Sequence, residues 1–360
     1  HLSLRRQRQM CIRDSSWRRN ATMATNSNLH GAKRAKKDEF YTQWDDIDKE
    51  MTAYLGYNPD VFRNKTLLLP CDDPEWSNFT AFFALHFHDF GIKRLISTCC
   101  APTSATSARG KVLVLDRADG NVNTKNWYYL RGDGDFRSDE VTQLRDEADM
   151  VITNPPFSLF REFMEWLIKG DVAFSIIANS NAITYKEIFP LIKENRLWLG
   201  ATGNSNDMVF RVPVGTAVRD SDREKAARLG YPSTPTALYT RLGNSCWFTN
   251  IQHERRHSPL TLRTMGDNLR TNTRIKGNPN SYTTYDNYNA IEVPVTSGIP
   301  SDFKGAMGVP ISFLDKYNPD QFEIIKFRHG NDGKDLRYTQ EDGSPKTPYF
   351  RILIRNKSTS

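Results

Sequence analysis

The sequence lacks any run of roughly eighteen apolar residues, the length at which a helix becomes a candidate to cross a bilayer, so no membrane span is expected. It also lacks a Cys-x-x-Cys pair. The five cysteines, Cys11, Cys71, Cys99, Cys100 and Cys246, form no regular framework, and the adjacent Cys99 and Cys100 cannot easily chelate one zinc ion. No metal is therefore expected, and a reduced, cytoplasmic protein fits this cysteine usage best. No internal repeat is visible, and no apolar core of a secretory signal opens the chain.

A chain of 360 residues can bury one large core or two modest ones. Its net charge of +7 suggests a nucleic-acid partner, but the distribution undercuts that inference. Residues 1–37 hold ten Lys/Arg against the single acid Asp14, a net +9, which leaves the rest of the chain at −2. Bulk charge thus says nothing about DNA. The first residue is His1, and HLSLRRQRQMCIRDS is similar to translated adaptor or read-through sequence, so Met23 is the expected start. The same run is Arg-rich and acid-poor like an organelle transit peptide, a weaker reading. Residues 32–37 read as part of a solvated, disordered tail, with a basic arm touching phosphates as the sharper alternative.

The most informative stretch is MVITNPPF, residues 150–157. Met150, Val151 and Ile152 look like a buried strand, and Thr153-Asn154-Pro155-Pro156-Phe157 breaks it abruptly. Proline has no N–H and a fixed φ, and it pushes the residue before it into extended geometry. Pro155 and Pro156 make a stiff loop just past the strand's carboxyl end, where ligands bind in open α/β sheets. Asn154 presents an amide, the Pro155 carbonyl has no helix to join, and Phe157 offers a flat face. These parts suit a planar group bearing an exocyclic amine. The amine donates one hydrogen to the Asn154 side-chain oxygen and another to the Pro155 carbonyl, while the ring stacks on Phe157. Accepting both hydrogens draws the nitrogen lone pair out of conjugation and aims it at an electrophile. A plain Pro-Pro turn with an incidental aromatic is the duller reading. From background composition, an Asp/Asn/Ser-Pro-Pro-aromatic match arises by chance in roughly one chain of this length in a hundred.

Asn154-Pro155-Pro156-Phe157 resembles the catalytic motif of S-adenosylmethionine-dependent amino-methyltransferases. The wider stretch TNPPFSLFREF, with NAITYKEIFPLIKENRLWLG after it, is similar to the adenine-specific DNA methyltransferases related to the EcoRI modification enzyme. The likeness covers residues 39–251 and is weaker in the C-terminal third. It implies a Rossmann-like class I methyltransferase fold, an α/β doubly wound, mostly parallel sheet with an antiparallel edge strand, plus a smaller C-terminal target-recognition region. It implies S-adenosyl-L-methionine as cofactor, double-stranded DNA as partner, and the N6 amine of a flipped-out adenine as acceptor. It allows a cognate restriction endonuclease that activity does not require. A monomer in the cytoplasm of a bacterium or phage-infected host is the expected state.

Taken in order, DDIDKEMTAYL reads as an amphipathic helix ending near Gly56, with Thr42 as a candidate N-cap. In the family, a segment like Phe40-Tyr41-Thr42 packs beside the cofactor's methionine end. Residues 65–74, KTLLLPCDDP, read as a buried strand opening into an acidic loop; a helix over 77–90 and a second strand over 93–99 complete a βαβ unit. Most relatives carry a glycine-rich loop after the first strand. CDDPE stands here instead, a departure from the general pattern that resembles the EcoRI-like subgroup. The resemblance makes Asp72 or Asp73 an acceptor for the cofactor's ammonium group; capping of the following helix is an even alternative.

KVLVLD at 111–116 and NWYYL at 126–130 look like a hairpin joined through Asp119-Gly120. Gly-Asp-Gly-Asp at 132–135 lacks the ligand spacing and terminal Glu of a calcium loop and reads as the end of another parallel strand. There the resemblance sets Asp135 and Phe136 beside the cofactor's adenine, Asp135 accepting its amino group, with a plain turn as the alternative. LFREFMEWLIK then has apolar residues at helical spacing, 173–178 reads as a buried strand, 185–194 as a helix and 197–200 as a strand. Strands alternating with helices give a doubly wound sheet, to which 246–251 adds an antiparallel edge strand by resemblance.

Residues 201–243 are richer in Gly, Pro, Ser, Thr and Asn, with one helical piece at 223–229. Beyond them, His253, Arg255, Arg256, His257, Arg263, Arg270, Arg274 and Lys276 precede Tyr282, Tyr285 and Tyr288. That texture suits phosphate contacts and base stacking, or an ordinary solvated face. Residues 305–317, 322–327 and 349–354 suggest a small β-rich cap. The expected domains are a disordered tail over 1–37, a catalytic domain over 38–252 and a target-recognition region over 253–360.

In-line passage of methyl from a sulfonium to an amine needs no nucleophile and no metal, so positioning carries most of the catalysis. An adenine in duplex DNA must first be flipped out of the stack. Pro70-Cys71 raises a rival, the Pro-Cys nucleophile of cytosine-C5 methyltransferases. It sits where a cofactor loop belongs and would leave NPPF unexplained. Asn-Pro-Pro-aromatic also serves cytosine N4, RNA guanine N2 and protein glutamine amides, so those acceptors stay open. So does a DNA-binding relative that kept the fold and lost catalysis. No general base stands out.

Overall fold

A computed structural model describes residues 40–101, 108–120, 122–203 and 207–357. The expected basic tail lies outside them. The described residues fall into two compact units, one drawn from His1–Ser180 and Ser205–Ile251, the other from Asn181–Asn204 and Gln252–Ser360.

The first unit opens with β1 (Tyr41–Thr42), which leads into α1 (Trp44–Tyr57). Ile47, Glu50, Met51 and Tyr54, three and four residues apart, form the buried face of α1. Asp45 and Asp46 occupy its first turn, where the helix dipole favours acids. Gln43 is the N-cap residue, not Thr42 as expected, because Thr42 is drawn into β1 and pairs with Phe210. β2 (Thr66–Leu69), α2 (Asn78–Leu85) and β3 (Arg94–Cys99) form the expected strand–helix–strand unit. Every residue of β2 is buried, as a strand covered on both faces requires.

β4 (Lys111–Asp116) runs antiparallel to β3 and pairs with the short β5 (Tyr128–Tyr129), so the hairpin is present. Residues 132–138 form no strand, contrary to expectation. Gly134 sits at φ +79°, and a Cβ there would lie 2.4 Å from the Cys99 carbonyl oxygen. Its glycine serves a close backbone approach, with the Ala101 N–H donating to the Asp133 carbonyl at 2.6 Å, and not an extended strand.

α3 (Asp139–Asp146) is capped by Ser138, whose side chain accepts from the Val141 N–H. β6 (Met150–Thr153), α4 (Phe160–Lys169) and β7 (Ala173–Asn179) follow. The chain then enters the second unit for α5 (Phe189–Lys193) and β8 (Trp198–Leu199), each shorter than the sequence predicts. Pro190 in the first turn of α5 fits a helix start at that point. β9 (Met208–Val212), α6 (Asp220–Arg228), β10 (Leu238–Leu242) and β11 (Ser245–Thr249) complete the first unit.

Its main sheet is mixed, in the order β5-β4-β3-β2-β6-β7-β11. The strands β3, β2, β6 and β7 are mutually parallel, and β11 pairs antiparallel with β7, Trp247 opposite Ile177. Because β2 and β6 are neighbours, their carboxyl ends bring the loop after Leu69 beside Thr153 and Asn154. A separate antiparallel sheet, β1-β9-β10, sets Phe210 opposite Thr42 and Arg211 opposite Tyr41.

In the second unit, α7 (Glu254–His257) and α8 (Met265–Thr271) precede β12 (Ala290–Glu292), β13 (Ala306–Pro310) and β14 (Phe322–Phe327). The hairpin β15 (Tyr338–Thr339) and β16 (Pro345–Lys346) is followed by β17 (Arg351–Asn356). The order β12-β13-β17-β14 gives a four-stranded sheet, so the β-rich texture expected here is present. Within it the buried Glu292 accepts from the Arg351 Nε at 3.0 and 3.1 Å and from the Tyr285 hydroxyl. Removing one partner of such a buried pair typically costs about 3–5 kcal/mol.

Candidate active site

Three stretches singled out in the sequence converge past the ends of β2 and β6. At the centre is Asn154. Its Nδ2 donates to the Phe40 carbonyl at 2.6 Å. Only the NH₂ end of an amide can donate to a carbonyl, so this bond sets the direction in which the side chain lies. The other end, Oδ1, is buried and accepts no hydrogen bond. An unpaired buried acceptor costs about 1–3 kcal/mol, and this one is left able to take a donor from outside the chain. Thr42 Oγ1, two residues beyond Phe40, is a second buried atom of this kind.

The ring of Phe157 lies 5.5 Å from that of Phe40, and both meet the edge or face of Phe210, at 6.5 and 5.8 Å between centroids. Phe210 is fully buried, whereas Phe40 and Phe157 are half-buried. One aromatic cluster therefore has a closed back and a partly open front. The rest of the Phe40-Tyr41-Thr42 segment is tied down beside it. Tyr41 meets Trp76 edge to face at 4.3 Å, and the Thr42 carbonyl accepts from Asn78 Nδ2 at 2.8 Å.

Asp72 links the two strand ends. Its carboxylate accepts from Ser77 Oγ and from Thr153 Oγ1, each at 2.6 Å. Burial pushes its pKa up to about 6, while the two hydroxyl bonds pull it down and neighbouring Asp73 pushes it up. Among the described residues, no cation figures in the groups acting on it. Such a carboxylate can take a positive ligand, which would offset the cost of burying its charge. Asp73 differs: it accepts from Lys111 Nζ at 3.1 Å and from the Glu75 N–H at 2.9 Å. Lys111 also pairs with Glu75 and lies 4.9 Å over Trp127. Neither acid caps α2; Ser77 does, accepting from the Phe79 N–H at 3.1 Å.

Asp135 and Phe136 are placed less favourably than the resemblance implies. Arg137 clasps Asp135, Nε to Oδ1 at 2.9 Å and Nη2 to Oδ2 at 2.7 Å. Phe136 is buried against Phe163 and Trp166, at 4.9 and 5.7 Å, so its ring is a core element without an open stacking face. Burial and the adjacent Asp72 charge push the Cys71 thiol well up, which keeps it protonated and unsuited to nucleophilic attack. Asn154, Phe157, Phe40, Tyr41, Thr42, Asp72 and Asp73 are thus brought together, Pro155 and Pro156 shape the loop between them, and Asp135 is engaged elsewhere.

Sequence reasoning missed Thr153, Ser77, Asn78, Trp76 and Phe210. Thr153 reads as one more strand residue. Phe210 sits in the Gly- and Pro-rich stretch, where only the short apolar run MVFRV signals a strand.

The family model described as adenine-specific methyltransferase EcoRI matches residues 28–357. The Type II methyltransferase M.EcoRI of Escherichia coli is 44% identical over 359 residues, covering 94% of this chain and 98% of that protein. The Type II methyltransferase M.MpnI of Mycoplasma pneumoniae is 34% identical over 294 residues, 82% of this chain and 83% of that protein. The Type II methyltransferase M.MgeORF184P of Mycoplasma genitalium is 35% identical over 300 residues, 82% and 84%. No solved structure matches the chain.

Proposed function

The chain belongs to the adenine-specific EcoRI methyltransferase family, and on that premise we propose that it methylates the N6 amine of an adenine flipped out of double-stranded DNA, with S-adenosyl-L-methionine as donor. It is a methyltransferase by membership. The observation that carries the finer reading is the buried, unpaired Oδ1 of Asn154, held in place by the Phe40 carbonyl beside the Phe157 ring.

S-adenosyl-L-methionine, when bound, supplies an electrophilic methyl group on a sulfonium. The residues present fit it. Asp72 offers a buried carboxylate to an ammonium group, and the Phe40-Tyr41-Thr42 segment, with its unpaired Thr42 Oγ1, offers polar contacts nearby. On the acceptor side, Asn154 Oδ1 takes one amine hydrogen and the Pro155 carbonyl the other. Both bonds strengthen as the nitrogen gives up its conjugation, so they favour the transition state over the ground state. Phe157 gives the base a stacking face, and Pro155 and Pro156 keep the loop from relaxing. The surplus proton leaves to water.

We read β3, β2, β6 and β7 with their helices as the core of a Rossmann-like class I fold, doubly wound, with β11 added antiparallel beside β7. The catalytic domain then spans 38–252 apart from residues 181–204, which group with the target-recognition region over 253–360. A monomer in a bacterial or phage-infected cytoplasm, with a restriction endonuclease as an optional companion, completes the proposal. Among the described residues no helix is long and apolar enough to cross a membrane.

Incubation with tritiated cofactor and unmethylated genomic DNA tests this directly. The wild type is expected to label DNA, and Asn154→Ala to bind cofactor without labelling. Wild-type cofactor binding with no label in DNA would overturn it and point to RNA or protein acceptors.

A further inference from the structure

The second unit carries an aromatic and cationic patch with no part in the chemistry above. Tyr349 is 73% exposed, the most open of the large hydrophobic side chains among the described residues. Its ring stacks on Phe350, centroids 4.7 Å apart and planes within 28°. Phe350 packs on Phe327 at 5.8 Å, and the Arg328 guanidinium lies 4.2 Å from the Phe350 ring, steadied by Asp335 at 3.1 Å. Lys326 lies 4.3 Å over Tyr288, which with Lys304, Asn331 and Arg355 lines an open cleft of about 510 Å³.

The backbone is distorted where it displays these groups. The register of β14 against β17 shifts between Ile324 and Lys326, and Arg328 has a left-handed φ of +36°. A bulge re-aims the side chains that follow it, and left-handed non-glycine residues are uncommon where nothing demands them. Charge divides along the chain in the same sense. Residues 252–360 hold 16 Lys/Arg against 12 Asp/Glu, a net +4, whereas residues 38–251 hold 23 against 29, a net −6. A polyanion is drawn to the part that bears the patch.

We infer that the Tyr349–Phe350 step, with Arg328 and Lys326, is a contact surface for duplex DNA. Tyr349 supplies an aromatic face to a deoxyribose, and the two cations meet backbone phosphates. This rests on the DNA methyltransferase reading above.

The test measures binding of the full chain to a duplex that the wild type methylates, across a salt series. Tyr349→Ala is expected to weaken binding about tenfold or more without changing the slope of log K against log salt. Tyr349→Phe retains wild-type binding. Lys326→Ala flattens the slope by about 1, the mark of one lost phosphate contact. At saturating DNA, kcat of Tyr349→Ala stays at the wild-type value, and an unchanged Tm shows that the fold is intact. Wild-type DNA affinity and KM in Tyr349→Ala overturn the inference. So does a wild-type dimer that Tyr349→Ala dissociates, which would make the patch an interface between copies. Failure of the wild type to bind or label any duplex overturns the DNA reading itself, and this inference with it.

Discussion

The Asn154 side-chain amide donates to the main-chain carbonyl of Phe40 at 2.6 Å, across 114 residues of chain. That single bond decides which atom of Asn154 is left without a partner. It also ties the segment entering α1 to the loop leaving β6, so the two halves of the site are set by one contact.

Replacing Asn154 with alanine removes both the bond to Phe40 and the acceptor. The expected loss in kcat/KM is about a hundredfold or more, the scale seen when a preorganised hydrogen-bonding group is deleted. Stability should change little, because the lost bond to Phe40 is offset by removal of a buried Oδ1 that has no partner in the free protein. Single-turnover kinetics beside a thermal melt check both halves of the statement.

Asp72 links stability to pH. Its folded pKa of about 6 lies above the ordinary carboxylate value of 3.8. As pH rises, the unfolded chain releases this proton first, so Asp72 is fully compatible with folding below about 4 and opposes it increasingly up to about 6. The penalty above that range is about 3 kcal/mol. Asp72→Asn is therefore expected to stabilise the free protein at pH 7.5, and by on the order of 1 kcal/mol less at pH 5. The same variant should bind cofactor more weakly, and wild-type affinity should rise with pH through about 6. Denaturant melts and calorimetric titrations at the two pH values measure these effects.

Phe210 and Phe157 should separate stability from function. Phe210 is fully buried, so Phe210→Ala is expected to cost about 3–5 kcal/mol of stability. Phe157 is half-buried and faces the site, so Phe157→Ala should cost less stability and lose more of kcat/KM for DNA. Equal stability losses in the two variants would contradict the division of the cluster into a supporting back and a working front.

Cys71→Ala tests the rival chemistry. The protonated thiol has no part in transfer to an amine, so kcat is expected to stay within about threefold of wild type. Loss of activity together with a covalent DNA adduct formed by the wild type would restore the cysteine-nucleophile reading.

Much of this was legible in the residues, for identifiable reasons. Thr66–Leu69 and Met150–Thr153 are short apolar runs with a proline one or two residues beyond, and both became parallel strands. The placing of Asn154 and Phe157 just past a strand end was legible because the two prolines between them stop the strand there. The Gly132–Gly134 stretch misled, since glycines chosen for a close backbone approach look like a strand terminus in sequence. Phe136 misled for a related reason: an aromatic beside an aspartate reads as a ligand contact, and only packing against Phe163 and Trp166 shows it to be core. The choice between Asp72 and Asp73 was not open to sequence reasoning at all. It turns on Lys111, which lies 38 residues from Asp73 and reaches it across the β3–β4 pair.

The central claim is that Asn154 presents its acceptor to an adenine amine, and product identity tests it most directly. DNA methylated with labelled S-adenosyl-L-methionine is digested to nucleosides and resolved, wild type beside Asn154→Ala. Label confined to N6-methyladenine, and absent in the variant, is the predicted result. Label in N4-methylcytosine or 5-methylcytosine, or label in N6-methyladenine undiminished by the substitution, would contradict it.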